Sequence, residues 1–361
     1  MNKVALKDTS RPSRVALGLS GGVDSSVAVY LLQQAGCEVV GIHMQLVPAS
    51  SRDAQAARDA QAVARHFGIE FHLLDARSAF EEEVITPFVQ AYLHGQTPNP
   101  CVRCNAAIKF GVLWQEAQRL GCDKLATGHY VRIREENGLT RLEQAVDPVK
   151  DQSYFLWGIP RDVLAHVICP LGAYHKDETR AIAAQLGLTT AAKKESQEIC
   201  FIPGDDYTAF LTHTCPDSLQ GHGDFIDLNG RVIGQHDGAW RYTIGQRRGL
   251  GLALGYPAYV IASDADANTV TVGPGDALWH DQLIAERVNL LQPAYAQGEG
   301  LIKIRSRDKG TRGHWHFDGQ TLHVQFDDPV RAITPGQSVV LYNGSSVIGG
   351  GIIRHALPQK P

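Results

Sequence analysis

The run from Gly18 to Ser26, Gly-Leu-Ser-Gly-Gly-Val-Asp-Ser-Ser, sets glycines, hydroxyls and one carboxylate side by side. Backbone N–H groups freed by Gly21 and Gly22, with the hydroxyls of Ser20, Ser25 and Ser26, make a cradle for an anion of pyrophosphate size. The positive end of a following helix adds to it. That chemistry points to ATP. No Gly-Lys-Ser/Thr follows, as a Walker A loop requires, and the turn lacks the Gly-x-Gly-x-x-Gly of dinucleotide folds.

A second reactive set is sulfur. Thr97-Pro98-Asn99-Pro100-Cys101-Val102-Arg103-Cys104-Asn105 places two thiols three residues apart, between a Pro-rich loop and an expected helix over Asn105 to Leu120 with Asn105 as its cap. A thiol near such a helix start, with Arg103 alongside, is expected to titrate below the ordinary ~8.5 and to be nucleophilic. Glu198-Ile199-Cys200-Phe201-Ile202-Pro203-Gly204 supplies a third thiol far along the chain. Cys37, Cys122, Cys169 and Cys215 read as small apolar packing residues. A Cys-x-x-Cys is also half of a structural zinc site, but no second pair stands at suitable spacing.

The elements that position these groups are legible in outline. Val15-Ala16-Leu17 reads as a buried strand before the Gly-rich turn, and Val27, Tyr30, Leu31 and Gln34 recur at helical spacing after it. Val39 to Met44, Phe71 to Leu74 and Lys124 to Thr127 read as further strands, and Asp53 to Phe67 as an Ala-rich helix. Strands alternating with helices imply a parallel sheet with helices, whose ligands lie beyond the strands' carboxyl ends. Ser20 to Ser26, Met44 and Gly128-His129 all fall there. After about Asp205 the texture turns to short β runs: Asn229-Gly230 marks a hairpin, and Thr269 to Val272, Leu322 to Phe326 and Ser338 to Tyr342 suggest a small barrel. The expected division is 1–205, 206–275 and 276–361, with Gly273-Pro274-Gly275 at a boundary.

At 361 residues the chain implies two or three domains. A net charge of −4 argues against a uniformly basic nucleic-acid-coating protein and leaves room for local patches. Seven cysteines, an odd and sparse set, argue against a disulfide scaffold. No apolar run approaches the ~20 residues of a membrane span, and Met1 to Arg14 lacks a signal peptide's apolar segment, so a cytoplasmic protein is expected.

Ser-Gly-Gly-x-Asp-Ser resembles the PP-loop of ATP pyrophosphatases. That turn, Asn99 to Phe110, Ala126-Thr127-Gly128-His129-Tyr130, Lys150 to Leu156, Ile199 to Ile202, Thr243 to Gly251 and Pro335 to Ser338 together look like the bacterial tRNA-specific 2-thiouridylases, the MnmA family. The resemblance runs nearly end to end. It implies an α/β PP-loop domain, a small central domain and a C-terminal β-barrel, and ATP-dependent replacement of the C2 oxygen of the wobble uridine by sulfur in tRNAs for Lys, Glu and Gln.

By position, the resemblance places Gly18, Leu19, Ser20, Gly21, Gly22, Val23, Asp24, Ser25, Met44 and Gly128 at the nucleotide, with Asp24 toward Mg²⁺. Cys104 matches the nucleophile and Cys200 the cysteine that takes a persulfide from a sulfur-relay donor protein. Cys104 then either releases the sulfur by forming a disulfide with Cys200 or supports the attack directly. Asn99, Pro100, Cys101, His129, Lys150, Asp151 and Gln152 approach the base and anticodon loop, and Arg305, Ser306 and Gln337 touch tRNA. Cys101 departs from the pattern, which has Asp there. Three thiols, Cys101, Cys104 and Cys200, are enough for a four-iron, four-sulfur cluster with one iron open to hydrosulfide. The competing enzyme class is a PP-loop amide-forming ligase, which needs no thiol; a non-enzymatic RNA-binding module would turn over no ATP.

Overall fold

A computed structural model describes residues 13–48, 51–136, 138–188 and 199–357. The readings made on residues 1–12 and on Glu198 lie outside them. The chain forms two compact units, one of Met1–Val84, Cys101–Gln197 and Ser345–Val347, the other of Ile85–Pro100, Glu198–Gly344 and Ile348–Pro361.

In the first unit, β1 (Arg14–Gly18), β2 (Glu38–Gln45), β3 (Glu70–Asp75), β4 (Lys124–Ala126) and β7 (Val167–Ile168) form one sheet in the order β3-β2-β1-β4-β7. Every pairing in it is parallel. β1 lies at its centre, and its Val15, Ala16 and Leu17 are fully buried, as a strand covered on both faces must be. β5 (Val131–Glu136) and β6 (Leu139–Gln144) form an antiparallel hairpin that the sequence reading does not include.

α1 (Val23–Gln34) follows β1, and α2 (Ser51–Phe67) follows β2. The spacing implied a one-sided α1, yet it is buried on several faces. Ala28, Val29 and Leu32 join the cluster of Val15, Leu17 and Val39, while Val23, Val27 and Leu31 join Tyr130, Leu171, Tyr174 and Ala183. Two apolar neighbours, rather than one, explain the absent polar stripe.

Gly21 takes φ +73°, and a Cβ there would stand 2.6 Å from the Ala56 carbonyl oxygen of α2. Gly21→Ala therefore combines a left-handed penalty of about 1–2 kcal/mol with a backbone clash. Thermal unfolding should shift down by about 5–10 °C, and nucleotide affinity should fall with it; an unchanged melting temperature would count against this packing.

In the second unit, β8 (Gly223–Ile226), β9 (Val232–His236), β10 (Ala258–Asp264) and β11 (Thr269–Pro274) form a four-stranded sheet in the order β10-β11-β8-β9. The expected hairpin at Asn229-Gly230 joins β8 to β9, with Gly230 at φ +79° and Asp227 accepting from the Asn229 and Arg231 amides. Then β12 (Trp279–Leu290), β13 (Gln297–Lys303), β14 (Thr311–Phe317), β15 (Leu322–Arg331), β16 (Ser338–Asn343) and β17 (Ser346–Ala356) run β12-β15-β14-β13-β16-β17. A β12–β17 pairing closes them into a barrel around Leu283, Ile302, Trp315, Val324, Phe326 and Leu341.

Candidate active site

The turn between β1 and α1 is held by its own hydroxyls. Ser25 Oγ and Ser26 Oγ donate to the Gly22 carbonyl at 3.1 and 2.8 Å, and Ser20 Oγ accepts from the Gly22 amide at 3.3 Å. No side-chain cap occupies the start of α1. Two neighbours press on this turn. His43, buried near the end of β2, places Nδ1 2.8 Å from the Leu19 carbonyl oxygen, and Met44 follows it half-buried. Just after β4, a Cβ on Gly128 would stand 3.1 Å from Ser25 N, so only glycine allows this approach without displacement.

Asp24, expected toward Mg²⁺, is held by two partners. Its two carboxylate oxygens lie 2.7 and 2.8 Å from Lys176 Nζ, and Tyr130 Oη donates to Oδ1 at 2.9 Å. Lys176 is only 6% exposed. A divalent cation at Asp24 would share the carboxylate with this ammonium or displace it. Lys176 opens the helix Lys176–Gln185, and its amide donates to the buried Asp147 at 3.0 Å.

His129 is buried, with Nδ1 2.8 Å from Thr127 Oγ1 and Nε2 3.5 Å from Lys109 Nζ. Burial, and then the Lys109 charge, hold its pKa well below the ordinary histidine value, so the ring is neutral. The next residue is fastened too. Gln152 accepts from the Tyr130 amide at 2.9 Å and donates its own amide to the Tyr130 carbonyl at 3.0 Å. Asp151 accepts from the Ala145 amide at 3.0 Å and from Ser153 Oγ at 2.8 Å. Asp151 and Gln152, carried over as base-side residues, thus have side chains engaged in shaping the loop beside half-buried Lys150.

The cysteine helix begins earlier than expected. It runs Pro100–Arg103, continues as a π-helix over Cys104–Val112 and ends in Leu113–Arg119. Pro100, whose ring suits a first helical position, sets the start. Asn105 is therefore inside the helix, where its Nδ2 donates to the Phe155 carbonyl at 3.1 Å, and it is no cap. Arg103 turns its guanidinium to Glu83, while the earlier helix start leaves Cys101 in the first turn. Cys104 is buried and Cys101 exposed. Burial pushes the thiols of Cys37, Cys122 and Cys215 up and that of Cys169 up to about 12, which fits packing roles. Cys37, Cys122, Cys169 and Cys215 are free thiols.

In the second unit, Cys200 is exposed while Phe201 and Ile202 beside it are buried. The Phe201 ring is edge-on to Phe88 and Phe210, with centroids at 5.3 and 5.4 Å, anchoring a segment whose thiol stays in solvent. Asn99 is half-buried and Pro100 buried. Two residues before Asn99, Thr97 is clasped: its amide donates to the Pro335 carbonyl at 2.9 Å, and its carbonyl accepts from Gln337 Nε2 at 2.8 Å. Gln337 thus serves the loop ahead of the cysteines. Arg305 and Ser306 lie exposed after β13, with Arg305 donating to the Arg331 carbonyl.

Sequence reasoning missed Lys109, Thr127 and Lys176 as site residues. The first two stood inside motifs already singled out. Lys176 sits in a polar run that reads as solvent-facing. Among the described residues, no group of three or more His, Cys, Asp or Glu side chains is placed to hold a metal, and no helix is long and apolar enough to cross a membrane.

A Gly/Ser turn at the end of a central parallel strand, a sulfur-bearing helix and following β domains define a nucleotide-dependent PP-loop protein. Three family models match in order: the tRNA methyl transferase HUP domain over residues 13–204, the tRNA methyl transferase PRC-barrel domain over 208–274 and the aminomethyltransferase beta-barrel domain over 280–353. The tRNA-specific 2-thiouridylase MnmA of Thermus thermophilus is 44% identical over 95% of this chain and 95% of its own. That of Clostridium acetobutylicum is 42% identical over 94% and 99%, and that of Pelobacter propionicus 44% over 96% and 99%. The chain belongs to the tRNA-specific 2-thiouridylase family.

Proposed function

We propose that this protein is an ATP-dependent tRNA-uridine 2-sulfurtransferase, acting on the wobble uridine of tRNAs for Lys, Glu and Gln. The observation that carries this is one continuous set of contacts inside the first unit. The α1 start touches Gly128, the adjoining His129 meets Lys109, and Lys109 shares a helix with Cys104. These contacts put the expected nucleotide turn and the expected sulfur helix on neighbouring elements, which supports the reading.

In the adenylation step, the uracil O2 lone pair forms a bond to the α-phosphorus of ATP, pyrophosphate leaves and the N3 proton passes to solvent. The oxygen becomes a good leaving group. A persulfide on exposed Cys200, loaded by a sulfur-donor protein, attacks C2 with its terminal sulfur and AMP departs. Cys104 then attacks the Cys200 sulfur, forming a Cys104–Cys200 disulfide and releasing 2-thiouridine; an external thiol resets the pair. Mg²⁺ would accompany ATP and neutralise its phosphates. We assign 1–205 to catalysis, 206–275 to a central RNA-contacting domain and 276–361 to the barrel, with Arg305 and Ser306 toward tRNA.

The cluster route needs Cys101, Cys104 and Cys200 gathered as one donor set. The persulfide route asks only for a carrier thiol at Cys200 and a resolving thiol at Cys104, and it is the reading we adopt; the iron dependence of activity decides between the two.

Protein purified without oxygen, given tRNA, ATP and a persulfide donor, should yield 2-thiouridine with one AMP released per thiolation and no dependence on iron. AMP formation with an amine acceptor, indifferent to Cys104→Ala and Cys200→Ala, would replace this reading with the ligase. Activity that follows iron content would replace the persulfide.

A further inference from the structure

Lys109 carries a charge that no described carboxylate answers. Its stem is half-buried, and among the described residues no carboxylate lies within ion-pair distance of its ammonium. Its hydrogen-bond partner is His129 Nε2, on a neutral ring. An ammonium has donors only, so Nε2 must accept and the ring proton sits on Nδ1, donating to Thr127 Oγ1. The imidazole thus orients the cation without neutralising it. An uncompensated, partly desolvated ammonium is costly unless an anion joins it.

Its position tells which anion. His129 follows Gly128, the residue packed on Asp24 and Ser25 at the start of α1. The π-helical i→i+5 winding sets Lys109 one turn on from Cys104. Lys109 thus touches the residue next to Gly128 at the nucleotide turn and shares its helix with Cys104.

We propose that Lys109, oriented by the Thr127–His129 pair, holds the α-phosphoryl group of ATP while that group passes to the uracil oxygen. Lys109 exchanges no proton or electron in this step. It stabilises charge on the non-bridging oxygens as the bond to O2 forms and the bond to pyrophosphate breaks. This rests on the thiolation reading above.

The test uses the full chain with tRNA and ATP, comparing wild type, Lys109→Met and Lys109→Arg. Lys109→Met should retain tRNA affinity and the melting temperature within a few degrees. It should lower tRNA-dependent pyrophosphate release at saturating substrates by about 10²- to 10³-fold, with Lys109→Arg recovering most of the rate. The pH profile of Cys104 alkylation, read by mass spectrometry, should not move. Pyrophosphate release at the wild-type rate in Lys109→Met would overturn the proposal, and so would a shifted alkylation profile at normal release, which would give the ammonium to the thiol. Absence of tRNA-dependent pyrophosphate release in the wild type would instead strike the thiolation reading itself and this proposal with it.

Discussion

Cys104→Ser should turn the enzyme into a trap for its own substrate. Serine is nearly isosteric in the buried Cys104 position, so folding, ATP binding and adenylation should continue, and the Cys200 persulfide should still displace AMP. A hydroxyl cannot cleave a disulfide, however, because the step needs a thiolate. The tRNA should therefore remain joined to Cys200 through a C2–S–S link, visible as a tRNA–protein band that dithiothreitol dissolves with release of 2-thiouridine. Cys200→Ser should give no adduct and no product, only AMP from futile adenylation. Turnover should fall by about 10⁴-fold or more in either variant, the scale on which removing a nucleophile acts. An adduct-free, inactive Cys104→Ser enzyme that still makes AMP would show Cys104 supporting the attack directly.

Lys176→Met should weaken both the fold and ATP binding, for a different reason. The substitution leaves the Asp24 carboxylate at the nucleotide turn with the Tyr130 hydroxyl, and removes a cation buried at the α1 start. Breaking a fully buried pair costs about 3–5 kcal/mol. Asp24 keeps 31% of its side chain in solvent, so about 2 kcal/mol is the fitting scale here, or a fall of about 4–8 °C in melting temperature. ATP affinity should drop at least tenfold because like charge then faces the triphosphate. The double variant Asp24→Asn/Lys176→Met should regain the lost stability but not the ATP-dependent activity. Recovery of both would make the pair purely structural.

The nucleotide turn could be read from sequence because its chemistry is backbone chemistry, written in Gly21, Gly22 and the serines around them. The strands of the first sheet were equally plain, since a run such as Val15-Ala16-Leu17 has few other uses. What escaped depended on partners distant in the chain. Lys176 in His-Lys-Asp-Glu-Thr-Arg looks solvated; it is buried because Asp24, Tyr130 and Asp147 surround its helix start. The π-helix likewise has no local code, and Asn105 drew attention as a cap when Pro100 was the better signal. β17 was hidden by its glycines: a Cβ on Gly349 would fall 2.4 Å from the Asn289 carbonyl oxygen, so a feature that usually weakens a strand here permits close pairing with β12.

The clasp on Thr97 carries a practical lesson about cutting the chain. Thr97 is gripped by Pro335, Gln337 and, through its hydroxyl at 3.1 Å, Thr243, while a Cβ on Gly336 would lie 3.0 Å from Thr97 itself. Residues 85–100 accordingly fold with sequence that lies more than a hundred positions downstream. A truncation after the nucleotide-binding portion, drawn where the family boundaries suggest, would strip the segment leading into Pro100 of these fastenings. The isolated front piece would then expose Phe88 and Tyr92, and poor solubility is its natural fate.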